Sequence, residues 1–225
     1  MPDRRVGASM KTPRITTVEA FLLSGLAIVA VFWAAEFTVA LAELGEPTHP
    51  AGEAGTHAAV GTLVTRLEVV FFALGFSLIG LVYEHHGRLM KEPAFALRHA
   101  AAYLLLVDAT LHAFALNDHI AHAFSVGFFA VVALAQFAAG IALPRMGARL
   151  DAAVLGLTLF LIAAYAATRT FVVWPLEAVE TFEPLGILSK LVELVLVLVI
   201  VPMHRLDRLG TAAGGAGPGP GTHPG

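Results

Sequence analysis

Read for its apolar and polar positions, the chain alternates six long apolar runs with short polar segments. The runs fall at about 18–44, 59–83, 95–116, 120–143, 151–173 and 185–203. Each is long enough to cross a hydrocarbon layer of roughly 30 Å, which takes about 20 helical residues. Such spans must be α-helical, because an isolated strand leaves its backbone groups unpaired in lipid, and nothing in the pattern alternates as a barrel strand does. Between the runs lie "GEPTHPAGEAGTH", "EHHGRLMKEP", "ND", "PRMGAR" and "WPLEAVETFEP", all carrying breakers or charge. The pattern predicts an all-α integral membrane six-helix bundle over residues 18–204, after a cytoplasmic N-terminal segment, 1–17. A Gly/Pro-rich tail, 205–225, has almost no apolar payload and is expected to be disordered.

Composition sharpens this. With 57% hydrophobic residues, 14% charged residues and a mean hydropathy of +0.77, the chain is too apolar for an ordinary soluble domain. A net charge of −3 offers no clustered basic face for phosphates, so a nucleic-acid partner is excluded. The chain has no cysteine, which leaves His, Asp, Glu or Met as the ligands for any metal.

Orientation follows from the basic residues. Arg4, Arg5, Lys11 and Arg14 precede the first run; Arg88, Lys91 and Arg98 follow the second; Arg145 and Arg149 follow the fourth; Arg205 and Arg208 follow the last. The other three connections hold Glu46, Glu53, Asp118, Glu177, Glu180 and Glu183 and no Lys. Positive charge stays inside, so both termini are expected in the cytoplasm of a prokaryotic cell, with the protein in its plasma membrane. "DRRVG" contains a twin arginine and "ALA" at 40–42 resembles a signal-peptidase site. The run between them is longer than a signal core and contains Trp33 and Glu36, so it reads as a retained span.

Several ionisable residues interrupt the runs. Counted from the outer ends at about 1.5 Å per residue, Glu36, Arg66, Glu68, Asp108 and Glu193 lie about 10–14 Å deep, and Lys190, Arg169 and His112 about 6–8 Å. The inner halves hold chiefly His99 and Gln136. Each buried charge costs several kcal/mol unless paired, so these groups are expected to face inward and find one another beneath the outer surface. Lys190 and Glu193 share a helix face, as do Asp108 and His112. Arg66 and Glu68, two apart, cannot point the same way.

Histidines concentrate near one turn. Asn117 and Asp118 are cap residues at the expected end of the third span, so His119 is expected to open the fourth and to meet His112 across the turn; were the helix to run on unbroken, the seven-residue spacing would still return both to one face. Paired imidazoles beside carboxylates can hold Cu, Zn or Fe, with Asp108 and His122 as further candidate ligands and His49 and His57 as donors from the first outer loop. Solvated interface histidines, hydrogen-bonded to Asp118 or to backbone, are the competing reading. "EHHG" at 84–87 is read as solvated, and the phenylalanines at 71, 72, 76, 128 and 129 as bundle or lipid surface. Gly127 and Gly140 read as close helix contacts, Gln136 as an interhelical hydrogen bond, Trp174 as an interfacial anchor and Arg169 as the partner of a carboxylate or an anion. No phosphate cradle or nucleophile motif is present.

"LHAFALNDH", "GFFAVVALAQ", "TRTFVVWP" and "EPLGILSKLVEL" together resemble a family of uncharacterised polytopic membrane proteins of actinobacteria and archaea, over about residues 105–200. Where that family has Pro-Glu before the second histidine, this chain has Asn117 and Asp118. The resemblance implies His112, His119, Gln136, Arg169, Pro175, Glu183, Lys190 and Glu193 as signature positions. It implies where a site lies and not its chemistry.

Three functions are compatible with this pattern. One is a metal-binding protein, copper or similar, or an accessory subunit of a membrane redox complex. Haem fits less well, because both histidines lie on one side. Another is a small proton- or ion-coupled transporter, and the third a structural subunit, alone or as a homo-oligomer. The sequence leaves enzymatic activity undecided.

Overall fold

A computed structural model describes residues 16–44, 55–146, 148–176 and 178–215. The chain folds into helices α1 (Thr17–Glu43), α2 (Gly55–Lys91), α3 (Pro93–Asp118), α4 (Ala123–Ala142), α5 (Ala148–Thr170) and α6 (Pro184–Gly215). All six are long and apolar enough to cross a membrane, and no strand occurs among the described residues. The all-α membrane bundle expected from the apolar pattern is therefore what forms.

Local chemistry sets several helix ends. At the start of α1 the Thr16 hydroxyl accepts from the Glu19 amide (3.2 Å) while the Glu19 carboxylate accepts from the Thr16 amide (3.0 Å), which satisfies two otherwise orphaned donors. Pro93 opens α3, where its missing N–H costs nothing. The segment "EHHGRLMKEP" is not a loop. α2 runs on through it to Lys91, with one kink at His85 (φ −122°, ψ 17°), and Glu92 alone separates α2 from α3. α6 likewise continues past 203 to Gly215 with Pro202 inside it, so the backbone of 205–215, assigned above to a disordered tail, is helical. Residues 1–15 and 216–225 lie outside the described residues.

Consecutive helices run antiparallel. The Val18 amide donates to Glu84 near the end of α2 (3.0 Å), and Arg145 beyond α4 pairs with Glu19 (3.0 Å). One end of the bundle thus gathers the start of α1, the α2–α3 and α4–α5 connections and the last turns of α6; it is called the terminal end here, and the opposite end the far end. α3 is the central helix, packed on α1, α2, α4 and α6. α4 packs chiefly on α3 and α5 on α6, and among the described residues α4 and α5 touch one another little if at all.

The terminal half is a dry core of Ala101, Ala102, Leu105, Leu143, Val154, Leu196, Ile200 and Met203. Beside it Arg98 makes a two-pronged pair with Asp151 (2.9 and 3.0 Å) and donates to the Leu143 and Met146 carbonyls, tying the α4–α5 turn to α3. Sequence reading placed Arg98 among loop charges and did not anticipate this clasp. On the outer surface Phe71, Phe72, Val131, Leu134 and Leu198 are two-thirds or more exposed, the apolar face a bundle presents to lipid. Gly140 does mark a close contact: a Cβ there would lie 3.0 Å from Leu106 and 3.1 Å from the Ala102 carbonyl. Gly127 does not, having open space around it. The tightest approach is α1 on α2 at Gly25, where a Cβ would fall 2.2 Å from Ser77 Oγ and 2.3 Å from the Ala73 carbonyl oxygen.

Candidate functional site

Apart from the Arg98–Asp151 pair at the terminal end, the inward-facing charges sort into three stations rather than one layer. The first joins α1, α2 and the end of α3. Arg66 lays its Nε on Glu36 (2.9 Å) and both terminal nitrogens on Asp118 (2.8 Å each), and its guanidinium rests 5.1 Å from the Phe114 ring. Trp33 donates to the Ala113 carbonyl (2.7 Å) and Asn117 to the Trp33 carbonyl (3.4 Å), stitching α1 to α3 at the same level. Glu68 is not part of this network: it is exposed on the outside of α2. The two-residue spacing forced a choice between Arg66 and Glu68, and the doubly paired arginine took the interior.

Asp118 is the last residue of α3, not the cap that starts α4, because its carboxylate is committed to Arg66. His119 consequently closes α3 as its C-cap residue instead of opening α4. His122 occupies the α4 N-cap position without a side-chain cap bond and is exposed. His112 and His119 therefore sit two turns apart on one helix, about 10 Å in rise, with Phe129 contacting both rings (centroids 6.1 and 5.1 Å). His49 and the side chain of His57 lie outside the described residues.

The second station, between α3, α4 and α6, is the chemical centre. Asp108 is fully buried, and its two oxygens are held separately: Gln136 Nε2 donates to Oδ2 and Ser189 Oγ to Oδ1 (2.7 Å). One turn on, His112 Nδ1 lies 2.9 Å from the Asp108 carbonyl. A carbonyl only accepts, so Nδ1 carries the proton and Nε2 keeps its lone pair. That Nε2 stands 3.8 Å from Glu193 Oε1, which Ser189 approaches at 3.4 Å and Lys190 pairs with directly. Asp108, His112 and Glu193 bring a ligand atom each to within 4.8 Å of one another, the one such metal-competent trio among the described residues. His119 is not in it. Glu193 Oε2 and Gln136 Oε1 are buried with no donor. Two buried carboxylates here share one ammonium, an arrangement that low dielectric makes costly unless a proton or a cation joins it.

Above the cluster, toward the far end, opens a cavity of about 380 Å³. Phe124, Phe128 and Phe129 of α4 and Phe160, Tyr165 and Arg169 of α5 form its walls, with Trp174 and Pro175 of the α5–α6 connection above them. The phenylalanines at 128 and 129, read above as bundle or lipid surface, are cavity wall. The third station stands here: Arg169 pairs with Glu180 and donates to Thr168 Oγ1 (3.0 Å), while its guanidinium stacks 4.4 Å over the Tyr165 ring. His112, His119, Arg169, Pro175, Glu183 and Lys190 all line this cavity, with Gln136 and Glu193 bound into the cluster at its floor.

Sequence reasoning missed Ser189, Tyr165 and Glu180. Helical spacing held a signal for the first two: Ser189 is four residues from Glu193, and Tyr165 four from Arg169, each on the same face as a residue already singled out. Glu180 sits in an irregular connection, where no periodicity indicates direction. In comparisons with known proteins, no family model, no curated protein and no solved structure matches this chain.

Proposed function

We propose that this multi-pass membrane protein holds a divalent first-row metal ion on Asp108, His112 and Glu193, at the floor of a cavity at its far end. The observation that carries the reading is the convergence of the three ligand atoms with two buried acceptors, Glu193 Oε2 and Gln136 Oε1, that have no donor. The 3.8 Å between His112 Nε2 and Glu193 Oε1 is within reach of two metal bonds of about 2.0–2.2 Å each. One imidazole and two carboxylates, with no sulfur, suit Zn²⁺, Fe²⁺ or Mn²⁺ better than Cu⁺. Gln136 and Ser189 fix the Asp108 carboxylate, and the Asp108 carbonyl fixes the His112 tautomer, as supporting groups do around metal ligands.

Lys190 tests the fit. Its ammonium now supplies the cation that Glu193 requires, and it also stands 5.5 Å from the Tyr165 ring, where it retains a favourable contact after giving way to an ion. A through path for ions finds no support. Between the cluster and the terminal end lies the dry core of Leu105, Leu143, Leu196 and Ile200, so the transporter reading is the weaker one. The basic residues at the terminal end support placing that end in the cytoplasm and the cavity at the outer face. The convergence of the resemblance's signature positions on one cavity supports membership of that polytopic family.

Metal content of protein purified without chelator and dialysed against buffered Zn²⁺, Fe²⁺ or Mn²⁺ tests the proposal. One ion per chain is expected for wild type and for His119→Ala, with tenfold weaker binding or worse in Asp108→Asn and Glu193→Gln. Lys190→Gln should bind more tightly than wild type, since it removes the competing cation. Absence of stoichiometric metal in both wild type and Lys190→Gln overturns the reading.

A further inference from the structure

Lys190 stands where an ion on Asp108, His112 and Glu193 would repel it. It pairs with Glu193 from one turn away on α6, its side chain only 15% exposed. An ion bonded to the same carboxylate lies within a few ångströms of the ammonium, and like charges repel strongly where water is scarce. The lysine therefore has to leave when an ion enters. A mostly buried ammonium in turn needs a counter-charge wherever it goes.

One carboxylate in the cavity lining is unspent. Glu193 would be on the ion, and Glu180 is held by Arg169. Glu183 lines the same cavity as Lys190, half-buried, and its carboxylate has no partner among the described residues.

The helix places the two within reach. The Glu183 carbonyl accepts from the Ile187 amide (3.0 Å), so the register of α6 begins at this residue. Lys190 follows seven positions later, two turns that return both to one face about 10 Å apart in rise. An extended lysine of ~6 Å and a glutamate of ~4 Å, joined by an ion pair of ~3 Å, cover that rise. Helical side chains lean toward the N-terminus of their helix, so Glu183 lies in the direction Lys190 takes by default and Glu193 lies the other way. Between the two levels the Tyr165 ring packs on Gly186, where a Cβ would lie 2.8 Å from it, and the ammonium already stands 5.5 Å from the ring centre. The ring flanks the route but supplies no full counter-charge, and Arg169 already stacks on it at 4.4 Å.

We propose that Lys190 is a tethered counter-cation that alternates between two carboxylates, held by Glu193 while the metal site is empty and by Glu183 when an ion occupies it. The swap rests on the metal reading above and adds a regulation to it. In the empty state the lysine keeps Glu193 from standing as a bare buried charge. In the loaded state it neutralises Glu183, which leaves the cavity less attractive to a second cation. The ammonium also remains beside the site as a competitor for Glu193, which favours release of the ion.

A double-substitution cycle on metal affinity tests the swap, using whichever of Zn²⁺, Fe²⁺ and Mn²⁺ loads to one ion per chain. Glu183→Gln should weaken binding about 3- to 10-fold when Lys190 is present, between the worth of an exposed ion pair and that of a charged hydrogen bond. In the Lys190→Gln background, with no ammonium to receive, the same change should cost less than about twofold. An attraction of Glu183 for the ion itself would lower affinity equally in both backgrounds. That outcome overturns the swap, as does full affinity in Glu183→Gln alone, and both leave the metal reading standing. Failure of all three ions to load wild type and Lys190→Gln overturns the metal reading and the swap with it. Zero-length carbodiimide coupling of the unsubstituted chain keeps the test decisive if Glu183→Gln does not insert, because it joins an amine to a carboxylate only where the two touch. The amide located by fragment mass analysis should change from Lys190–Glu193 in metal-free protein to Lys190–Glu183 at saturating metal; the same linkage in both states overturns the proposal.

Discussion

At the scale of single residues, the difference between Arg66 and Glu68 shows how strongly the environment selects. Arg66 is buried with a carboxylate on each side, Glu36 and Asp118, whereas Glu68 faces outward. Removing one member of a fully buried ion pair costs about 3–5 kcal/mol, because the partner stays buried and uncompensated. Asp118 keeps 37% exposure of its side chain, so it can recover some hydration. Arg66→Met is therefore expected to destabilise by about 2–3 kcal/mol, the reduced end of that buried-pair cost. Glu68→Gln has no partner to strand among the described residues and should leave stability unchanged or raise it, since a lone outward charge in lipid is unfavourable. Thermal unfolding of both variants in the same detergent checks the contrast; an equal or larger loss for Glu68→Gln would contradict it.

At the scale of the elements, helix contacts depend on where small residues fall, and here the sequence was only half readable. Gly127 and Gly140 look alike along the chain, yet Gly140 lies on Leu106 and Gly127 on nothing. Which face of a nearly uniform apolar helix turns inward is set by its neighbours and not by its own pattern. The six spans were legible because a run of about 20 apolar residues has no other stable fate. Pairs on a common helix were legible as well: Lys190 with Glu193, and Asp108 with His112, meet as helical spacing requires. Partners on different helices were not. Nothing in the sequence assigns Gln136 and Ser189 to Asp108, Arg98 to Asp151, or Asp118 to Arg66, and that last pairing reversed the expected cap and moved His119 to the end of α3. The packing makes its own prediction. Gly25→Ala drives a methyl into the Ala73 carbonyl, which cannot swing aside, so α1 must shift off α2 at a cost of about 1–3 kcal/mol. Gly127→Ala places a methyl in open space and should stabilise by about 0.4–1 kcal/mol through a less flexible unfolded chain. Paired unfolding midpoints for the two variants decide it, and a destabilising Gly127→Ala would show that the α4 surface is covered by something.

At the scale of the whole molecule, the bundle is built asymmetrically along its axis. The terminal end is dry inside and carries Arg88, Arg98, Arg145 and Arg205 at its margin, while the far end holds the three ionic stations, the cavity and the exposed Trp174. Basic residues are retained on the cytoplasmic side during insertion and tryptophan settles at the interface, so the proposed orientation puts the cavity near the outer face. A metal site opening there would exchange its ion with the exterior, since the apolar Leu105, Leu143, Leu196 and Ile200 lie between it and the terminal end. The absence of native cysteine makes the orientation simple to measure. Gly87→Cys near the terminal end and Val179→Cys in the α5–α6 connection, both exposed, are treated in intact cells with a membrane-impermeant maleimide. Val179→Cys should label at once and Gly87→Cys only after the membrane is opened. The reverse pattern would put the cavity on the cytoplasmic side, and the inside-positive reading of this chain would have to be abandoned.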